Sequence, residues 1–298
     1  MKNDYHQLLK PEIIKTVSGL ALIARIIADG YLSGYSHSKR VGSGMEFSQF
    51  RTYEPGDDLR LLDWKMLARS NRYYIKQAEI ETNITVKFVL DASRSMLHTE
   101  KGLSKMDYGR VLIATLTYIA HNQGDAVGLF ALNQQQLYSV YPKVQKQHFN
   151  RLLQELLLVK NQGKWPENAR GIQQLQHRGG KELLFFVTDL YEHGQELSSF
   201  VKRLKTPKNE VVVMHLLGKN ELEFNYKGMV TFEDLETGTK LKVDAQSAQK
   251  EYLNAMQQFT KKIKEDLLTH AIDYHQFVLG TPIEEAIQLF LKRRNRLR

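Results

Sequence analysis

From Ile84 onward, short apolar runs alternate with stretches whose apolar residues repeat at helical spacing. Ile84–Leu90, Ala126–Ala131, Leu183–Val187 and Val211–Leu217 are almost continuously apolar. Runs of this length that are apolar on both sides suit strands covered on both faces, which is how parallel strands sit when helices cross over between them. Between them, Tyr108, Val111, Leu112, Thr115 and Ile119, and then Phe149, Leu152, Leu153, Leu156 and Leu157, mark helix faces. Strand and helix in strict alternation predict an α/β fold with a mostly parallel sheet flanked by helices.

Further signals complete the order of elements. Ser104 with Asp107 three residues on has the form of a capping box, and Leu137–Tyr141 fits a hairpin partner for the second strand. A short helix is expected near Ala169–His177. A surface hairpin is expected over Met229–Phe232 and Lys240–Val243, followed by a long helix at about 248–270, a strand at Tyr274–Leu279 and a last helix opened by Thr281 and Pro282. The first 83 residues differ. Ile13, Ile14, Val17, Leu20, Ile23 and Ile27 line a helix face, and a segment dense in charge and aromatics follows. Within it Glu54–Asp57 fits a type II turn, and Asp57 or Asp58 is placed to cap a short helix containing Leu59, Leu62 and Met66. Two units are therefore expected, residues 1–83 and residues 84–298.

At 298 residues and 42% hydrophobic the chain can bury a sizeable core. It has no cysteine, which removes disulfides and thiolate chemistry. The most apolar stretch, Gly19–Ala28, is interrupted by Arg25 and falls far short of the roughly 20 residues that span a bilayer. No signal-peptide pattern follows Met1, so a soluble cytoplasmic protein is the expectation. The net charge of +9 is concentrated in residues 141–182 and in Lys292, Arg293, Arg294, Arg296 and Arg298.

The most definite chemistry lies where the first α/β strand breaks into a loop, at Asp91-Ala92-Ser93-Arg94-Ser95. A carboxylate and two hydroxyls at alternate positions form an oxygen donor set suited to a hard cation, Mg²⁺ or Mn²⁺. Open α/β sheets bind ligands at the carboxyl ends of their strands. Asp189 ends another central strand and can reach the same edge. Two carboxylates and two hydroxyls leave room for water and for a partner's carboxylate, which suits metal-bridged adhesion better than catalysis.

Several longer motifs carry a resemblance. Gly42-Ser43-Gly44-Met45-Glu46-Phe47, then Phe50 through Arg60, Asp63-Trp64-Lys65, Ala68-Arg69, and later Phe232-Glu233-Asp234-Leu235-Glu236-Thr237-Gly238 resemble the bacterial von Willebrand factor A-like proteins of domain-of-unknown-function family fifty-eight. The resemblance covers nearly the whole chain. It implies a von Willebrand A-like sheet flanked by helices and a metal-ion-dependent adhesion site, with Asp91, Ser93, Ser95 and Asp189 as metal residues. It also implies a non-enzymatic interaction module acting with a MoxR-type AAA ATPase in the assembly or maturation of other proteins. Where the family has a Thr shortly after a Gly, this chain has Gly163-Lys164-Trp165. Trp165 takes that place, and Arg94 adds a positive charge within the loop; both oppose a bound cation.

Other classes are weakly supported. A Mg²⁺-dependent phosphohydrolase using the same carboxylates is the main alternative, although Asp91 lacks the second acid two residues on that an aspartyl-phosphate enzyme usually has. Nucleic-acid binding through the basic regions lacks interleaved aromatics. No Walker-type phosphate loop, dinucleotide-binding glycine fingerprint or Gly-x-Ser-x-Gly elbow occurs.

Overall fold

The computed structural model describes residues 9–33, 47–53, 62–78, 84–166, 175 and 181–296. The chain divides into two compact units, one made of residues 1–34 with 84–298 and the other of residues 35–83. The cut between residues 83 and 84 is kept, while residues 1–34 group with residues 84–298 and not with residues 35–83. Helices α1 (Pro11–Ile14) and α2 (Val17–Ser33) belong to the larger unit. The apolar face expected on this segment exists, and its partner explains the difference. Ile14, Leu20, Ile23, Ala24 and Ile27 are buried in one cluster with residues of the α/β core.

In the smaller unit β1 (Phe47–Thr52) pairs antiparallel with β2 (Tyr74–Ala78), on either side of α3 (Trp64–Ser70). Asp63 caps α3, its Oδ1 accepting the N–H groups of Lys65 at 2.8 Å and Met66 at 3.0 Å. Asn71 ends the helix in the left-handed conformation at φ 54°, as a C-terminal cap often does. The cap expected at Asp57 or Asp58, and the turn at 54–57, lie outside the described residues.

The larger unit continues with β3 (Thr85–Asp91), a small ladder of β4 (Thr99–Glu100) and β5 (Leu103–Ser104), α4 (Lys105–Asn122), β6 (Ala126–Leu132), β7 (Leu137–Lys143) and α5 (His148–Leu158). Then come β8 (Glu182–Thr188), α6 (Glu196–Leu204), β9 (Asn209–Leu217), α7 (Lys219–Glu223), β10 (Met229–Glu233), β11 (Lys240–Asp244), α8 (Ala245–Thr269), β12 (Asp273–Val278) and α9 (Ile283–Arg296). Of the helix expected near 169–177, only Leu175 is described; it is helical and buried.

Six strands form the central sheet in the order β12-β9-β8-β3-β6-β7. All neighbours are parallel except β7, which returns antiparallel beside β6. The mostly parallel, helix-flanked sheet that the sequence implied is thus what forms. Strand residues alternate between two apolar layers, as the period of 2 requires. Phe88, Leu90, Phe185, Val187, Met214 and Leu216 face the layer that holds α2, α4, α5 and α9. Val89, Phe130, Leu184, Phe186 and Val213 face the layer that holds α6 and the end of α8. Phe88 and Phe185 stack across β3 and β8 with centroids 5.3 Å apart, and burying each such ring contributes about 2 kcal/mol.

Two glycines set the spacing of this packing. A Cβ on Gly109 would stand 3.4 Å from Val187, so α4 can lie directly on the sheet. A Cβ on Gly128 would meet Pro142 at 2.8 Å, where the register of β6 and β7 shifts.

Beyond β9 the chain leaves the main sheet. β10 and β11 form a separate two-stranded antiparallel hairpin, with Met229 and Leu241 exposed. Its base is fixed by aromatic contacts, Phe232 lying 5.6 Å from Phe224 and 5.2 Å from Tyr226 between ring centroids. Among the described residues no helix is long and apolar enough to cross a membrane.

Candidate functional site at the carboxyl ends of β3 and β8

From β3 the chain crosses to β6 on one side, while β8 lies on the other and leads on to β9. The direction of winding reverses there, and ligands of open α/β sheets bind in the crevice such a reversal creates. Asp91 is the last residue of β3 and Asp189 follows the last residue of β8, so both carboxylates stand at that crevice.

All four residues singled out in the sequence meet at this point, and all are buried. Asp91 Oδ1 accepts the Ser93 N–H at 2.9 Å, which turns the loop back on itself. Asp91 Oδ2 accepts the Thr188 hydroxyl at 2.7 Å. The Ser93 and Ser95 hydroxyls lie 2.9 Å apart, and Ser95 donates to Asp189 Oδ1 at 3.0 Å. A short 3₁₀ turn over Arg94–Leu97 aims the two serines inward while Arg94 is exposed. The charge of Arg94 therefore sits in solvent, where it opposes a cation less than the sequence alone suggested.

The 161–165 loop is stitched beside this one. Asn161 Nδ2 donates to Ser93 O at 2.9 Å, Gln162 N to Ala92 O at 3.0 Å and Arg94 N to Gly163 O at 2.9 Å. Trp165 then turns into the apolar layer, 3% exposed, with its ring 5.4 Å from Phe186 and 5.0 Å from Phe200. The loop stands where the family's third element is expected, and Trp165 supplies packing there.

Sequence reasoning missed a cation within the chain. Lys105, the first residue of α4, is 3% exposed and donates to Asp189 Oδ2 at 3.0 Å and to Glu221 Oε1 at 2.8 Å. Burial alone would lower its pKa, but the charges of Asp189 and Glu221 outweigh that and raise it. Ser104 caps the helix by accepting the Asp107 N–H, as expected, and so fixes where Lys105 emerges. A lysine at a helix N-terminus runs against the helix dipole. That mismatch was the one signal in the sequence that could have marked it. Glu221 also accepts the Gly218 N–H, and Glu100 accepts those of Lys219 and Asn220 at 2.7 Å each, so α7 is held by acids on both sides. His215, on β9, touches the Asp189 carbonyl at 2.9 Å and the Tyr274 hydroxyl at 2.6 Å. Burial, then the Lys105 ammonium, push its pKa down to about 4.

Two acids at this crevice are disfavoured as anions, chiefly by burial. Burial, then the Asp189 carboxylate, push the Asp91 pKa up to about 7. Glu236, in the β10–β11 turn, is pushed up to about 7 by burial and then by Asp189 and Asp234. Its Oε1 is buried with no hydrogen-bond partner among the described residues. Two carboxylates and two hydroxyls meeting at one crevice are oxygen donors of the kind a hard divalent cation takes. Asp91, Ser93, Ser95 and Asp189 are the residues that would hold it. Among the described residues no three His, Cys, Asp or Glu side chains are arranged to bind a metal by themselves, so the hydroxyls are indispensable to such a site.

A curated relative, an uncharacterized protein of Mycobacterium tuberculosis, is 22% identical over 236 residues, which is 76% of this chain and 72% of that protein. Among solved structures, the conserved hypothetical protein BatB from Bacteroides thetaiotaomicron is 15% identical with a TM-score of 0.45, covering 72% of this chain and 100% of that one. The SpRpn10 VWA domain is 13% identical with a TM-score of 0.39, covering 69% of this chain and 94% of that one. A family described as a protein of unknown function, DUF58, matches residues 49–262. That match takes in the site, the β10–β11 hairpin and most of the sheet, and the chain belongs to the DUF58 family.

Proposed function

We propose that the protein is a non-enzymatic interaction module that binds a protein partner at the carboxyl edge of its sheet through a divalent cation, Mg²⁺ or Mn²⁺. The observation that carries this reading is the convergence of Asp91, Ser93, Ser95 and Asp189, from two separate strands, into one hydrogen-bonded oxygen cluster at the point where the winding reverses. The surplus of carboxylate over ammonium supports a cation. The small number of carboxylates supports an incomplete coordination shell, which an acidic side chain of the partner would finish. The family resemblance supports a MoxR-type AAA ATPase as the protein it works with, in the assembly or maturation of other proteins. Nothing in the cluster is built as a nucleophile with its base. Asp91 has both oxygens engaged by Ser93 and Thr188, and among the described residues no His or Lys side chain is hydrogen-bonded to it.

Two measurements test the reading separately. Mg²⁺ titration calorimetry is expected to give a binding isotherm that Asp91→Ala removes; equal heats for both proteins would sink the cation. Co-purification with the cognate ATPase, across nucleotide states, tests the partner. Persistent failure to associate would sink that part.

A further inference from the structure

β12 closes one side of the central sheet, and among the described residues no strand lies beyond it. It runs beside β9 in unbroken parallel register, from Asp273 opposite Val212 to Val278 opposite Leu217, and Leu279 N extends the ladder by donating to Leu217 O at 2.7 Å. Along a strand, successive residues turn their peptide N–H and C=O groups to opposite sides. The odd-numbered residues 273–279 therefore bond β9, and Tyr274, Gln276 and Val278 turn theirs outward. Among the described residues these outward groups make one main-chain bond, in which the Val278 carbonyl accepts the Thr281 N–H at 3.1 Å. Natural edges guard such groups with proline, lysine, a bulge or extreme shortness. Asp273–Val278 has none of these guards: it is six residues long, holds no Pro or Lys, and shifts register nowhere. Gln276 is exposed and Tyr274 and Val278 are half-buried, so the edge reaches solvent.

We propose that β12 pairs antiparallel with β12 of a second copy of this chain, about a two-fold axis at Gln276. The register follows from which groups face outward. Centring on Gln276 sets Gln276 opposite its own copy and Tyr274 opposite Val278, so all three outward-facing residues fall in hydrogen-bonded pairs. Centring on His275 would leave Val278 without a strand partner. In the chosen register an aromatic meets a β-branched residue and amide meets amide on one face, while His275 stands opposite Phe277 on the other. The two Asp273 carboxylates are kept about 20 Å apart, six residues along the strands. A two-fold pairing uses up the edge, so assembly stops at two copies. Pairing of a six-residue edge falls short of the roughly 1,200–2,000 Å² that stable interfaces bury, so the dimer is reversible and concentration-dependent. The carboxyl ends of β3 and β8 point opposite ways in the two copies, and the dimer offers its two sites at opposite rims of one continuous sheet. It does not depend on a cation at either site.

The test uses the full chain. Sedimentation of wild type from micromolar to submillimolar concentration is expected to show a reversible monomer–dimer equilibrium. Gln276→Lys sets like charges opposite each other on the axis and should weaken the dimer by about ten-fold or more. The chain has no cysteine, so one introduced thiol reports the register. Gln276→Cys should oxidise to a disulfide-linked dimer, because residues that exchange both hydrogen bonds lie about 5.5 Å apart at Cα, within disulfide reach. Asp273→Cys should not. Monomer at every concentration overturns the proposal, and so does a dimer that Gln276→Lys leaves intact. Should Gln276→Lys fail to fold, the cysteine variants decide: a Gln276→Cys crosslink that is absent, or no faster than that of Asp273→Cys, overturns the pairing.

Discussion

A buried lysine stands at each end of β3 and β8, Lys87 within β3 at one end and Lys105 of α4 at the other, and the two ends are built differently. At the amino end, Lys87 of β3 donates to Glu182 Oε1 at 2.6 Å and to the Leu175 carbonyl at 2.6 Å. One ammonium, one carboxylate and one carbonyl close on each other, and the pair is almost wholly shielded from water. At the carboxyl end, Lys105 faces Asp189 and Glu221, with Asp91 and Glu236 close by and pushed up to about 7. Evolution can bury charge in this sheet in balance, and did so where only the fold is at stake. The excess acid at the other end is a cost that a merely structural role would not sustain.

The largest expected effect comes from breaking the balanced end. Lys87→Met leaves Glu182 buried without its cation and should cost about 3–5 kcal/mol in urea unfolding, with Mg²⁺ making no difference. A loss below about 1 kcal/mol would show that the amino end is as plastic as the carboxyl end, and the contrast would fail. Next comes Lys105→Met, which should cost about 2 kcal/mol without divalent cation, because Asp189 and Glu221 lose a shared donor. Saturating Mg²⁺ should recover part of that loss, and recovery equal to the effect of Mg²⁺ on wild type would deny any link between the lysine and the cation.

A smaller change is expected for Asp91→Asn. It gives up a charge that burial and Asp189 already disfavour, so stability should move by less than about 1 kcal/mol while the Mg²⁺ isotherm disappears. A strongly destabilised variant would instead make Asp91 a structural residue like Lys87. The smallest effect concerns acid. His148, also toward the amino end, sets Nε2 against Val127 O at 2.8 Å, and its pKa is lowered, chiefly by burial. A histidine whose folded pKa lies below its unfolded value contributes stability above the unfolded pKa, and that contribution is lost as pH falls through the unfolded value toward the folded one. Thermal unfolding from pH 7.5 down to about 5.5 should therefore show a decline, shared with the buried His215, that His148→Gln makes shallower without removing.

Most of the sheet was legible because its strands are apolar on both faces and its helices keep one face. Against Ile84–Leu90 the observed β3 is shifted one residue on, to Thr85–Asp91, and against Leu183–Val187 the observed β8 is longer by one residue at each end. Helix α6 was missed, although Leu197, Phe200, Val201 and Leu204 repeat at helical spacing and all four are buried. It spans only nine residues in a stretch whose other residues are mostly polar, so its four apolar positions repeat too briefly to stand out. That residues 1–34 group with the larger unit, and not with residues 35–83, has a different cause. The apolar face of α2 is visible in the sequence, but which surface it covers depends on the tertiary fold.

The candidate site divides along the same line. Asp91, Ser93, Ser95 and Asp189 could be read because each sits at a recognisable strand end. Thr188, Glu221 and Glu236 could not, since polar residues near helices and turns are common and their meeting depends on where β9 and the hairpin fold back. Glu236 stood inside a motif that carried the family resemblance, yet the motif alone assigned it no role.

The far edge of the sheet bears on how this protein can meet another. At β7 the backbone register slips, Pro142 has no N–H to offer, and Lys143 closes the strand. Each of these discourages a foreign strand from zipping on. Growth of the sheet by strand addition is blocked on that side, which guards the chain against edge-to-edge polymerisation while it folds. Recognition there cannot be bought with repeating main-chain hydrogen bonds; it is left to side chains, whose identity a partner must match residue by residue.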